Sequence, residues 1–283
     1  MSIARGVRAH LWIPFVLITA ACASTKGAAP QTVAANGGGY EGSTYEPAPA
    51  SHATVGGAPG SQVYEPVPDR PGLGTQWGEQ VHAPISFQAF MRASSQPWAQ
   101  VVLHYNDAEG VRAHSEFLGT SPRPLEVFAG DGSISVALVD EGGRTLPGYD
   151  AGNRTLVIGE DGERYRIVVH NATPVRFEIV ASVDGLDVID GKPADPNRRG
   201  YLVDPHDDLV IDGFRTSSSA VAAFRFGKVA DSYAARTSGD RNVGVVGLAI
   251  FAERGARWSP GELQRRDSAD PFPNRGYAAP PRD

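Results

Sequence analysis

Cysteine is almost absent from this chain: among 283 residues there is one, Cys22. A single thiol excludes an internal disulfide, and no thiolate zinc site can be assembled. Whatever folds downstream of it must be held by burial and hydrogen bonding. Basic charge is also short, with 26 Lys and Arg against 32 Asp and Glu and a formal net charge of −6. Removal of a leader carrying Arg5 and Arg8 makes the balance more negative still. That sign excludes the diffuse positive field that nucleic-acid binding requires, and it provides no electrostatic pull toward anionic lipid. Catalytic signatures are missing as well: there is no H-E-x-x-H, no paired C-x-x-C and no G-x-S-x-G. Gly185 to Lys192 imitates a phosphate loop but has one residue too many between its glycines. Pro193 also replaces the Ser or Thr that would bind magnesium. No cofactor is implied.

The longest apolar run near the start, Leu11 to Ala21, is well short of the ~20 residues that span a bilayer. It follows Arg5 and Arg8 and ends in small residues, the order of a secretory signal. The stretch Ile18-Thr19-Ala20-Ala21-Cys22 resembles the lipobox of bacterial lipoproteins, with Thr19 where Leu is usual. The resemblance implies a signal peptide over 1–22 and acylation of Cys22 as the new N-terminus. Ala23 in the next position leans toward the outer membrane by the same resemblance. Cleavage after Ala23, giving a soluble secreted or periplasmic protein, is the alternative. Acyl chains in pairs anchor firmly where one binds only marginally.

Glycine (33) and proline (22) are abundant and gather at the two ends. Residues 23–70 are rich in Ala, Gly, Pro, Ser and Thr and read as a flexible linker. Tyr-Glu-Pro occurs there twice, at 45–47 and 64–66. Residues 257–283 read as a flexible tail, with Trp258 or Phe272 able to dock.

The region 71–256 alternates apolar and polar residues in short runs, the pattern of half-buried strands. Ile85–Phe90, Val101–Tyr105, Leu125–Phe128, Ile134–Leu138 and Leu156–Ile158 are such runs. Tyr165–Val169, Val175–Val180, Leu209–Ile211, Val221–Phe226 and Val243–Phe251 complete them. Asp131-Gly132, Asp161-Gly162, Asp184-Gly185, Asp190-Gly191 and Asp212-Gly213 supply turns that tolerate positive φ. One helical turn is expected at Ser232–Arg236, ended by Gly239. The expected fold is all-β, an antiparallel β-sandwich, or else two small β subdomains divided near 143–153.

Few residues offer chemistry. Asp184, Asp187 and Asp190 recur every third position, which suits turns first and calcium second. Asp204–Asp208 reads as a solvated acidic loop before a cation site. His104 and His114 flank a turn but fall short of the three or four ligands of a zinc site. Phe214, Arg215, Asp231 and Tyr233 combine aromatics with charge, as recognition faces do. They are the candidate binding surface. Strings including PGLGTQWGE (71–79), SVDGLDVIDG (182–191), IDGFR (211–215) and FRFGKVADSYAARTSGDRNVGVVGLAIF (224–251) resemble a group of exported bacterial β-rich proteins. The resemblance implies one domain unit and assigns no activity. The expected function is a non-enzymatic binding or structural domain anchored in the envelope, with a protein or glycan partner. Two alternatives stay open: a hydrolase using Glu178, Asp184 or Asp190, and a calcium-stabilised adhesion module.

Overall fold

The computed structural model describes residues 30–35, 71–112, 121–150 and 154–258. The leader with Cys22, both Tyr-Glu-Pro repeats, His114 and Phe272 lie outside the described residues. The described chain is mostly strand. It begins with β1 (Gln31–Ala35), β2 (Leu73–His82), β3 (Ile85–Ala89) and β4 (Ala99–Asn106). Next come β5 (Arg123–Pro124), β6 (Glu126–Ala129), β7 (Ile134–Asp140), β8 (Pro147–Asp150) and β9 (Thr155–Ile158). β10 (Arg164–Asn171), β11 (Phe177–Val183), β12 (Leu186–Asp187), β13 (Tyr201–Val203) and β14 (Asp208–Ile211) follow. β15 (Gly213–Arg215), β16 (Ala220–Lys228) and β17 (Val245–Ala252) close the series, with a short helix at Tyr233–Thr237 before the last.

Two sheets face each other. One has the order β3-β1-β13-β11-β17-β4-β9-β8-β5, with β12 turned back on β11. The other runs β15-β16-β10-β7-β6, with β14 beside β10 and β2 beside β16. Pairing is antiparallel except for β1 with β3 and β4 with β9, which are parallel. Both sheets draw strands from either side of residues 143–153, so the division into two subdomains does not occur. Alternation sets the faces: β10 sends Tyr165, Ile167 and Val169 into the core and leaves Arg164 and Arg166 outside. Tyr165 stacks on Phe226 at 4.3 Å and on Phe224 at 5.3 Å, which fills the space between the sheets.

The turns behave largely as their residues require. Asp184 (φ 55°) and Gly185 (φ 80°) form a two-residue connection between Val183 and Leu186, which pair across it. Two successive positive φ angles match the right-handed strand twist there. Ser232 caps the helix by accepting from the Ala235 N–H at 3.1 Å, and Gly239 (φ 98°) follows its end. Asp212-Gly213 differs from the expectation. It is no reversal but a handover: β14 pairs with β10, and β15 continues onto β16. A Cβ on Gly213 would lie 1.9 Å from the Ala222 carbonyl oxygen, so that close approach requires glycine.

The main departure lies at the N-terminal side. Residues 31–35, expected within the linker, form β1 between β13 and β3. Val33 and Ala34 are fully buried. Small apolar side chains suffice because the strand gains backbone partners on both edges. At the other end, Trp258 docks on the sandwich: its ring lies 5.3 Å from Trp98 and 5.1 Å from Phe177, and its N–H donates to Asp131 at 3.0 Å.

Candidate functional site

The structure does not gather all four residues nominated as a binding surface on one face. Phe214 is buried in the core. Arg215, its neighbour on β15, points to the opposite face. There its guanidinium donates to the Tyr201 hydroxyl (2.8 Å), the Ala83 carbonyl (2.9 Å) and Gln31 Oε1 (2.9 Å). It is a clamp on β1. Asp231 accepts from Arg236 at 2.6 Å on the surface. Tyr233 alone keeps the expected company, 5.0 Å from Phe214.

What gathers around Phe214 and Tyr233 is Trp77, which the sequence reading did not single out. β2 is an edge strand, and a register shift opposite Ala222 and Phe224 re-aims its outer half. Trp77 is left 49 % exposed. Its ring lies parallel to Phe214 at 6.2 Å and tilted against Tyr233 at 4.8 Å. The Tyr233 hydroxyl reaches Gly191, where a Cβ would sit 2.8 Å from it. Phe214 and Tyr233 thus flank the indole, and about half of Trp77 stays open to solvent. The only hint in the sequence was one large aromatic in an otherwise polar run, Gln76-Trp77-Gly78-Glu79-Gln80.

The carboxylates nominated for chemistry serve the fold. Asp184 sits between the sheets, accepting from the Thr75 N–H (2.8 Å), the Gly244 N–H (2.9 Å) and the Tyr105 hydroxyl (2.6 Å). Since Tyr105 donates its one proton to Asp184, its oxygen must accept from Thr75. Thr75 in turn must accept from Tyr165 at 2.6 Å. The result is a directed chain of hydroxyls ending on a buried carboxylate. Burial pushes the Asp184 carboxyl above its ordinary value, against the pull of those hydrogen bonds. Burial, reinforced by the Asp184 charge, pushes Tyr105 and Tyr165 well up. Asp187 is buried, accepts from the Ile189 N–H at 2.8 Å, and is likewise pushed up by burial. Asp190 pairs with Arg198.

Glu178, fully buried, accepts from Arg92 Nε at 2.6 Å and from the Gly200 N–H at 2.7 Å. Arg92 also lies over the Phe251 ring at 3.6 Å. His104 is held below its usual value, first by burial and then by the Arg154 charge.

Of the cavities, one of about 330 Å³ is lined by Gln31, Arg166, Asp204, Asp207, Asp208 and Asp212. Burial raises the Asp212 carboxyl while Arg164, Arg166 and Arg215 oppose the rise. A second hollow, about 160 Å³, lies over Val102, Val180, Leu248 and Ala249 on the outer face of the β1 sheet. Glu178, Asp184 and Asp190 line neither. Among the described residues, no group of three or more His, Cys, Asp or Glu is placed to hold a metal ion. Among them too, no helix is long and apolar enough to cross a membrane. No family model, curated protein or solved structure matches the chain.

Proposed function

We propose that this is an exported, lipid-anchored envelope protein whose β-sandwich is a non-enzymatic binding domain. The observation that carries the binding role is Trp77, half exposed and flanked by Phe214 and Tyr233. An aromatic ring packed in place at a sheet edge suits stacking of a sugar ring or a planar side chain, because little rotamer entropy is lost on contact. The anchoring role is supported by Cys22, the sole cysteine, at the end of the apolar run. The hydrolase reading is less favoured, since Asp184 and Glu178 already accept from backbone N–H groups and buried partners. The calcium reading is less favoured for the same reason at Asp184 and Asp187.

Two measurements test this. In the producing cell, Cys22→Ser is expected to shift the protein from the membrane fraction to the soluble fraction. Retention of that variant with membranes sinks the anchor. Co-sedimentation with purified cell-wall glycan is expected for the natural chain. Trp77→Ala is expected to weaken it about tenfold, the effect of losing ~1.4 kcal/mol of stacking. Trp77→Phe should lie between the two. Equal retention of all three chains, or of none, removes Trp77 as a binding surface.

A further inference from the structure

Building on the anchored reading, we infer that the leash between an acylated Cys22 and the folded domain is only the eight residues 23–30, so that one defined end of the sandwich faces the lipid. The expected linker covers residues 23–70, but β1 interrupts it at residue 31. That strand is built in rather than laid on. It pairs with β13 on one edge and β3 on the other, and Val33 and Ala34 have no exposure. Its first residue is fastened twice. The Gln31 N–H donates to the Pro84 carbonyl at 2.9 Å, and Gln31 Oε1 accepts from Arg215 at 2.9 Å. Arg215 is held in turn by Tyr201 and Ala83.

Nine residue steps from Cys22 to Gln31 reach at most ~30 Å when fully extended. β10, with eight residues, is about 27 Å long, so even a fully extended leash roughly matches the height of the sandwich. A 48-residue linker would instead reach beyond 150 Å. The chain enters at the end that carries Ala83, Asp207 and Ser218. There the Ala83 N–H bonds to Ser219, the Ile85 N–H to Ser218 and the Asn171 N–H to Asp207. The cavity lined by Gln31, Asp204, Asp207 and Asp208 belongs to this end. Its carboxylates give anionic lipid no purchase, so the leash and not charge sets the orientation. The turn at Asp161 lies at the opposite end, since β10 starts just after it and its His170 pairs with Asp208.

The test uses the full-length chain, purified from membranes and reconstituted in vesicles that carry an acceptor-labelled lipid. Ser218→Cys and Asp161→Cys each receive a donor dye, since acylation consumes the thiol of Cys22. Energy transfer is expected to be severalfold greater from position 218 than from 161. An insertion of 40 Gly and Ser residues after Ala29 should abolish that difference, and the same insertion after Ser51 should preserve it. Equal transfer from the two positions in the acylated natural-length chain overturns the short leash and leaves the anchor standing. So does loss of the difference on insertion after Ser51. Mass spectrometry finding no acyl group on Cys22 overturns the anchor, and the orientation with it.

Discussion

At the scale of single residues, the most consequential side chain is Asp184. It adopts a positive φ, which Asp and Asn tolerate better than most residues, and it ends the hydroxyl chain from Tyr165 through Thr75 and Tyr105. Its carboxyl is raised by burial from 3.8, so the folded chain holds a proton there more tightly than the unfolded chain does. The stability this contributes is complete below pH 3.8 and is lost as pH rises through the raised value. Asp187 and Asp212 are raised in the same direction and add to the same slope. Asp184→Asn keeps the backbone and the two contacts to one oxygen, but its amide faces the Thr75 N–H, donor against donor. That change is expected to cost about 1–2 kcal/mol near neutral pH. The deficit should widen on acidification, because only the natural residue gains from protonation. Urea midpoints at pH 4.5 and 7.5 for both chains measure it, and two parallel profiles would refute the assignment of the titration to Asp184.

At the scale of elements, the segment after β3 is strapped across the outer face of the β1 sheet by Arg92. Its guanidinium meets Glu178, the Pro196 carbonyl at 2.8 Å and the Phe251 ring. Arg92→Ala strands a fully buried carboxylate, which is expected to cost about 3 kcal/mol. A double change with Glu178→Gln should recover part of that loss, because the uncompensated charge is gone. Thermal melts of the natural chain and the two variants decide it: a single variant melting with the natural chain would mean that the strap bears no stability, and a double variant melting no higher than the single one would mean that the stranded charge is not the cost.

The strands inside the sheets were legible as short runs that either alternate, as Tyr165–Val169 does, or are apolar and buried on both faces, as Ile134–Leu138 is. Ile134–Leu138, Tyr165–Val169 and Val221–Phe226 all fall within observed strands. β1, β2 and the short β13 were not read as strands. Gln31–Ala35 carries no large apolar side chain, and its burial is conferred by β13 and β3, which lie far away in sequence. The Arg92–Glu178 clamp joins residues 86 apart, and no local pattern announces such a pair. Of the four nominated residues, Tyr233 has Trp77 as a ring neighbour, a residue the sequence did not bring forward. The period-two pattern assigns a large aromatic to the core and cannot show that Trp77 stays half exposed.

At the scale of the molecule, the question is where the domain begins. Composition places the boundary near residue 71, whereas the sheet order places it at residue 31. A chain starting at Pro71 would leave β3 without a partner in its sheet. It would also expose the edge of β13 and deprive Arg215 of Gln31. Burial of Val33 alone is worth roughly 1.5–3 kcal/mol. The fragment 71–258 is therefore expected to unfold at least 2 kcal/mol more easily than 30–258 by this measure. It should also self-associate through the opened strand edge. Adding a synthetic peptide of residues 29–36 should restore the urea midpoint and the monomer, because the vacated slot offers backbone partners on both sides. The same peptide with Val33→Asp should fail, since a carboxylate would enter a site with no exposure and no counter-charge. Equal stability of the two fragments, with no response to the natural peptide, would return β1 to the linker and the boundary to residue 71.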